Sequence, residues 1–171
     1  MVVHIDSTMP QACPLTLVQS RSLLGFCRRV GAVFFTVNFL YVKGKKSEQL
    51  AHTFYQRFGI FSCGERLLKN VCGKGFQLRK SWVLNDESIK AILTETRGNL
   101  FAYNVLCLPE DWLFYIGDAI ILQVVSHEQE ATMRLSETQY AEFKTLGIAH
   151  QQGQPQWSGL PEVPMRGTSP R

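Results

Sequence analysis

The chain has 171 residues, of which 45% are hydrophobic and 19% are charged, a composition typical of a globular domain and not of a disordered or fibrous chain. Its five cysteines are odd in number and contain no C-x-x-C pair, which argues against a disulfide framework and against a zinc ribbon. Residues 1–90 carry 13 basic and 5 acidic side chains, whereas residues 91–171 carry 5 and 9. The basic half is suited to attract anions, whether a small carboxylate, nucleic acid or lipid headgroups, although a surface of mixed charge also keeps an ordinary domain soluble.

Residues 30–42, VGAVFFTVNFLYV, form an uncharged segment between arginines and lysines. A bilayer span needs about 20 residues, and no cleavage pattern of a secretory signal follows before the lysines. The Val, Phe and Tyr content predicts instead a strand buried on both faces. We therefore expect no integral membrane span and a cytoplasmic protein.

Two helices are predicted next. Ser47 is a suitable N-cap for a helix that Gly59 ends, and its apolar residues share one helical face: Leu50, Ala51, Phe54 and Phe58. A second, shorter helix is predicted over residues 65–71, and the sequence CGKG at 72–75 ends it.

Four strands are predicted after this break, over residues 76–83, 91–95, 100–108 and 112–125. Arg97, Gly98 and Asn99 are predicted to form a hairpin turn, and Gly117 with Asp118 a second turn or a bulge. The sequence SETQ at 136–139 is a capping box that begins a helix, which Gly147 ends. N-terminal helices, a strand meander and one C-terminal helix predict an α+β fold with an antiparallel sheet.

The predicted organisation is one α+β domain over residues 12–148. A flexible N-terminus, residues 1–11, precedes it, and a flexible tail, residues 149–171, rich in Pro, Gly and Gln, follows it.

No metal site and no cofactor are predicted. The four histidines lie far apart in the sequence, and none has a metal-ligand spacing to another ligand type: His4, His52, His127 and His150. The sequence HEQE at 127–130 is predicted to be a solvated loop. Gly73, Lys74 and Gly75 form only a fragment of a phosphate-binding loop, which a plain turn explains.

The segment from 54 to 80 mixes cations with aromatic rings, as platforms for single-stranded nucleic acid do. Phe54 and Phe58 are, however, explained by the core face of their helix, and no RNP motif or recognition helix is present. Binding of a nucleic acid or a protein partner by the basic N-terminal half therefore remains an alternative hypothesis.

Residues 64–111, GERLLKNVCGKGFQLRKSWVLNDESIKAILTETRGNLFAYNVLCLPED, resemble the middle of the bacterial chorismate lyase family. SIKAIL at 88–93 corresponds to a hairpin strand in which Lys90 takes the place of the family's Arg. FAYNVLCLP at 101–109 is similar to the second strand of that hairpin. The resemblance implies a pocket over an antiparallel sheet and elimination of pyruvate from chorismate to give 4-hydroxybenzoate, a step of ubiquinone biosynthesis. The same sheet also serves as a sensor domain in transcription regulators, so fold similarity alone would not establish catalysis.

A ligand with carboxylates needs cations to bind it. The candidate substrate-binding residues are Lys90, Arg79 and Arg97, and no catalytic acid is found at the matching positions. This hypothesis requires Lys90 to face a cavity together with Arg79 or Arg97. If Lys90 points to open solvent, a non-enzymatic regulatory or interaction protein becomes the favoured function.

Overall fold

The computed structural model of the chain describes residues 1–6, 15–39, 45–69, 75–102, 109 and 111–153. The helices of this part of the chain are α1 (Leu17–Arg29), α2 (Lys45–Phe58), α3 (Asp86–Glu95) and α4 (Glu137–Lys144), with a 3-10 turn at Gly59–Phe61. Its strands are β1 (Val2–Asp6), β2 (Phe34–Asn38), β3 (Ser62–Lys69), β4 (Phe76–Val83), β5 (Asp111–Ile116), β6 (Ala119–Val125), β7 (Glu130–Arg134) and β8 (Gln151–Gly153).

These strands form one antiparallel sheet in the order β3-β4-β2-β5-β6-β7-β1-β8. The predicted α+β class with an antiparallel sheet is therefore confirmed. The sheet extends beyond the predicted domain limits, residues 12–148. β1 lies before residue 12 and β8 lies after residue 148, and β1 pairs with both β7 and β8. The flexibility predicted for the two ends of the chain stays a prediction, and residues 154–171 lie outside the described part.

The two faces of the sheet bury different side chains, because successive residues of a strand point to opposite sides. On the face that we call the helical face, Phe35 and Trp112 of the sheet share one core with apolar residues of all four helices, among them Leu24, Phe54, Ile92 and Phe143. On the opposite face, a smaller cluster contains Phe34, Leu68, Leu113, Tyr115 and Ile120.

Several predicted elements are confirmed. β4 has the predicted limits, and β2 lies inside the apolar segment 30–42 with Phe34 to Val37 all buried. Gly117 and Asp118 form the turn between β5 and β6. Ser136 caps α4, since its hydroxyl accepts a hydrogen bond from the Gln139 amide at 3.2 Å. Residues 40–42 lie outside the described part of the chain.

The helix predicted from Ser47 exists, but it begins at Lys45, so Ser47 is inside the helix and not its cap. It ends at Phe58, directly before Gly59, as predicted. Phe54 and Phe58 are fully or almost fully buried in the helical-face core.

Two elements were predicted wrongly. Residues 65–69 belong to strand β3 and not to a helix. Residues 91–95, predicted as a strand, lie in helix α3. The helix begins at Asp86, directly after a reciprocal cap. The Asn85 side chain accepts a hydrogen bond from the Ser88 amide at 2.8 Å, and the Ser88 hydroxyl accepts one from the Asn85 amide at 2.9 Å. These bonds satisfy amides that have no partner within the helix.

The predicted hairpin turn at Arg97–Asn99 is also wrong, because these residues end α3. Arg97 has a φ of 51°, and the Gly98 amide donates to the Leu93 carbonyl at 2.7 Å. The Arg97 amide donates to the Thr94 carbonyl at 3.2 Å, which completes the pattern of a Schellman motif. The strand predicted over residues 100–108 lies mostly outside the described residues, and residues 100–102 are not in a strand.

Candidate functional site

The three cations predicted to bind a carboxylate are not brought together. Lys90 lies on the exposed side of α3, where its Nζ donates to Glu87 Oε1 at 2.8 Å, and this hydrogen bond raises the pKa of the lysine. Arg97 is exposed in the turn that ends α3. Arg79 is buried on the face of β4 opposite to Trp82, and Trp82 packs against Phe54 and Tyr55 of α2. The prediction that Lys90 faces a cavity over the sheet together with Arg79 or Arg97 is therefore wrong, because Lys90 faces solvent.

Arg79 is part of a chain of polar side chains across three neighbouring strands. Its Nη1 donates to Asn38 Oδ1 at 2.8 Å, and Asn38 Nδ2 donates in turn to Asp111 Oδ2 at 2.9 Å. Its Nη2 donates to Gln77 Oε1 at 3.1 Å. Arg79 is only 7% exposed, and its Nε has no hydrogen-bond partner among the described residues. Among the described ion pairs none involves Arg79, so its charge is compensated by neutral acceptors and, at longer range, by Asp111.

Asp111 is the acidic end of this chain. Burial raises the pKa of its carboxyl. The hydrogen bond from Asn38 lowers this pKa, as do the electrostatic interactions with His127 and Arg79. Beside it, the hydroxyls of Thr36 and Tyr115 are 3.3 Å apart, and burial raises the pKa of the Tyr115 phenol. The arrangement joins β4, β2 and β5 through side chains in addition to their backbone ladder.

The exposed end of the β3–β4 pair carries a different kind of surface. Among the described residues, β4 pairs with β2 only through Val83 and Trp82, whereas its pairing with β3 continues to Phe76. The two strands therefore extend beyond the central sheet as a ribbon. We define the ribbon face as the side chains on the Trp82 side of this ribbon: Glu65, Leu67 and Lys69 on β3, and Phe76, Leu78 and Lys80 on β4.

Three large apolar side chains of the ribbon face are open to solvent. Leu67 is 65% exposed, its cross-strand partner Leu78 is 60% exposed and Phe76 is 70% exposed. Single exposed apolar residues are common, but adjacent ones on one surface indicate an interaction site. Lys69 is opposite Phe76, and Lys80 is opposite Glu65, so the apolar surface is bordered mainly by cations.

A small cleft lies at the base of the ribbon face. It has a volume of about 170 Å³, and its lining includes Tyr55 of α2 and Trp82 of β4, whose rings stack on each other with centroids 5.7 Å apart. Lys80 Nζ is 4.2 Å from the centroid of the Tyr55 ring, and burial raises the pKa of the Tyr55 phenol. The cleft is smaller than the roughly 300–1,000 Å³ of most ligand pockets.

Other sequence candidates have ordinary surroundings. The described residues contain no group of three His, Cys, Asp or Glu side chains placed to hold a metal ion. His127 lies in the turn after β6, with Nε2 3.6 Å from Glu128 Oε1, which agrees with the predicted solvated loop except at Glu130, the first residue of β7. Within the described ranges, no helix is both long and apolar enough to cross a membrane. Residues 71–74, which include most of the CGKG segment, lie outside those ranges.

The chain matches no protein-family model, and it has no significant match to a curated protein or to a solved structure. The resemblance to chorismate lyases therefore stays a prediction.

Sequence reasoning missed the ribbon face and the cleft because it assigned residues 65–71 to a helix. In a helix, neighbouring Leu67 and Leu68 lie on similar sides, whereas in β3 they point to opposite faces. Leu68 is buried at 1% exposure and Leu67 is open to solvent. The available signal was the run from 76 to 83, which was predicted as a strand and needed a partner strand nearby.

Proposed function

We propose that this protein is a non-enzymatic interaction protein that binds a protein partner through the ribbon face. The observation that carries the proposal is the exposed, contiguous apolar group of Leu67, Phe76 and Leu78. It belongs to the basic N-terminal half of the chain. The solvent-exposed position of Lys90 also removes the main support for a carboxylate site on α3.

The chemistry of the ribbon face favours a protein over a nucleic acid. Bases stack on flat rings, but two of the three exposed apolar groups are the aliphatic side chains of Leu67 and Leu78. The rings of Phe54 and Phe58 are buried in the core, so they offer no surface for stacking. Aliphatic groups bordered by Lys69 and Lys80 fit a peptide segment that combines apolar residues with carboxylates.

Selection from a displayed library of random peptides tests this proposal. We expect enrichment of peptides that combine apolar and acidic residues, and loss of their binding to the double variant Leu67→Ser/Leu78→Ser. Val18→Ser is the matched control, because Val18 is 72% exposed on α1, away from the ribbon. Selected peptides that bind the wild type and the double variant equally would refute the proposal.

Binding of nucleic acid is the alternative outcome of the same test. A single-stranded oligonucleotide should show no binding at physiological salt. Binding that falls steeply as the salt concentration rises would indicate counterion release from phosphates and would overturn the assignment to a protein partner.

The cleft supports a second candidate, binding of a small aromatic carboxylate. The rings of Tyr55 and Trp82 provide an apolar contact, and Lys80 provides a cation for the carboxylate. Elimination of pyruvate, the finer form of this hypothesis, needs cations for both carboxylates of chorismate and a proton donor. The described lining of the cleft offers a single cation, Lys80, so we limit this candidate to binding.

Titration calorimetry with 4-hydroxybenzoate tests this second candidate. Lys80→Gln should weaken binding about tenfold, as expected for loss of one hydrogen bond to a charged group. Lys90→Gln is the matched control and should leave the affinity unchanged. Absence of binding at millimolar ligand, or equal losses in the two variants, would exclude the cleft as a carboxylate site.

A further inference from the structure

β3 is a terminal strand of the sheet. Within the described part of the chain it pairs with β4 alone, so its other edge presents backbone amides and carbonyls that can pair with another strand. A bulge interrupts the β3–β4 register between Ser62 and Glu65, and the regular pairing runs over residues 65–69. This leaves five regular residues, from Glu65 to Lys69, available along the edge.

We propose that the edge of β3 pairs antiparallel with the β3 edge of a second copy of this chain, with the twofold axis at Leu67. In this register Leu67 lies opposite Leu67 of the second copy, and Glu65 of each copy lies opposite Lys69 of the other. An interface of this kind is self-complementary, as a twofold dimer requires. The proposal does not rest on the function assigned to the ribbon face.

Charge complementarity along the edge of β3 identifies the occupant. Glu65 and Lys69 are both exposed, and none of the described ion pairs involves either residue. They have opposite charges, and they are equally distant from Leu67 along the strand. Opposite charges directly across an antiparallel pair are stabilising, and like charges are destabilising. Two such pairs would form in each dimer.

Neighbouring registers are less favourable. A shift by two residues in one direction places Arg66 opposite Arg66 of the second copy, which is a contact between like charges. The opposite shift places Leu67 against Lys69. The register centred on Leu67 is therefore the one in which both the apolar and the charged side chains find suitable partners.

The dimer has a consequence for the ribbon face. Side chains directly opposite in an antiparallel pair lie on the same side of the sheet. The two ribbon faces would therefore form one continuous surface, on which Leu67 and Leu78 of each copy are neighbours. The contact consists of one short strand pair and a few side chains, so we expect a weak, micromolar association of the class below about 1,200 Å² of buried surface.

The decisive experiment uses charge reversal in the full chain. Sedimentation velocity over a range of protein concentrations should show a monomer–dimer equilibrium for the wild type. Glu65→Lys and Lys69→Glu should each weaken dimerisation about tenfold or more, because each substitution creates two like-charge pairs per dimer. An equimolar mixture of the two variants should recover the wild-type affinity, since a heterodimer pairs Lys with Glu at both sites.

Recovery on mixing separates an interface from a folding defect, because a misfolded variant would not be rescued by another variant. Circular dichroism of each variant confirms its fold. A wild type that stays monomeric at several hundred micromolar, or a mixture that behaves as the sum of its two variants, would overturn the proposal. Leu78→Asp separates dimerisation from the proposed peptide binding. It should abolish peptide binding to the ribbon face and leave the dimer largely intact.

Discussion

Asn38 is the residue whose substitution most directly tests the polar chain across the sheet. It accepts a hydrogen bond from Arg79 and donates one to Asp111, so Asn38→Ala removes two hydrogen bonds to charged groups. Such bonds contribute about 1.5 to 3 kcal/mol each. Both are partly buried, which places them near the lower end. We expect the free energy of unfolding to fall by about 2 to 4 kcal/mol.

Urea denaturation at neutral pH measures this change directly. In a chain of this length the melting temperature should fall by roughly 3 °C for each kcal/mol. Gln77→Ala is the matched comparison, since Gln77 accepts one part-buried hydrogen bond from Arg79. We expect it to cost about half as much as Asn38→Ala, because it removes one such bond instead of two.

The substitution should also change the pH dependence of stability. Burial raises the pKa of Asp111, and the hydrogen bond from Asn38 opposes that rise. The folded state therefore holds the Asp111 proton more tightly than the unfolded chain does, so stability falls as the pH rises above the ordinary aspartate pKa of about 3.9. Asn38→Ala should enlarge this fall. A loss of unfolding free energy below about 1 kcal/mol at pH 7, with an unchanged pH profile, would contradict this reasoning. It would show that water replaces Asn38 at no cost and that the polar side chains from Arg79 to Asp111 contribute little to stability.

Three further predictions concern other parts of the fold. Ser136→Ala should cost about 1 kcal/mol in urea denaturation, because the hydroxyl caps the Gln139 amide. In the native protein Cys63 should react with a thiol reagent much faster than Cys27, as peptide mapping by mass spectrometry would show, since Cys27 is fully buried and burial raises its pKa. Burial and the cross-strand Asp6 raise the pKa of Glu130. Because the folded state binds this proton more tightly than the unfolded chain does, stability should decline as the pH rises above about 4.3. Urea denaturation of Glu130→Gln should show a smaller decline.

Residues 91–95, predicted as a strand, belong to helix α3 because of a cap earlier in the sequence. The residues after Ser88 are mostly β-branched and apolar, which suits a strand, but Asn85 and Ser88 form a helix cap directly before them. Once capped, Ile89, Ile92 and Leu93 fall on one side and enter the helical-face core. Because these residues form a helix and not a strand, Lys90 faces solvent and not the predicted pocket. The predicted carboxylate site therefore loses this residue.

The sequence by itself determined the features that depend on neighbouring residues. The uncharged segment around Phe34 predicted a buried strand, the spacing of Phe54 and Phe58 predicted one face of a helix, and the capping box at Ser136 predicted the start of another. Each of these is set by local backbone preference and by hydrophobic periodicity, and each is present in the structure.

Only the tertiary structure decided the features that depend on pairing between distant segments. Nothing in the sequence of β3 indicates that its partner is β4 or that its other edge is terminal, and nothing near Arg79 indicates Asn38, which lies 41 residues away. The same holds for the exposure of Leu67, which differs from that of its neighbour Leu68 only because one face of the sheet is covered at that point. Strand order sets these contacts, and strand order results from burial summed over the whole chain and not from any single segment.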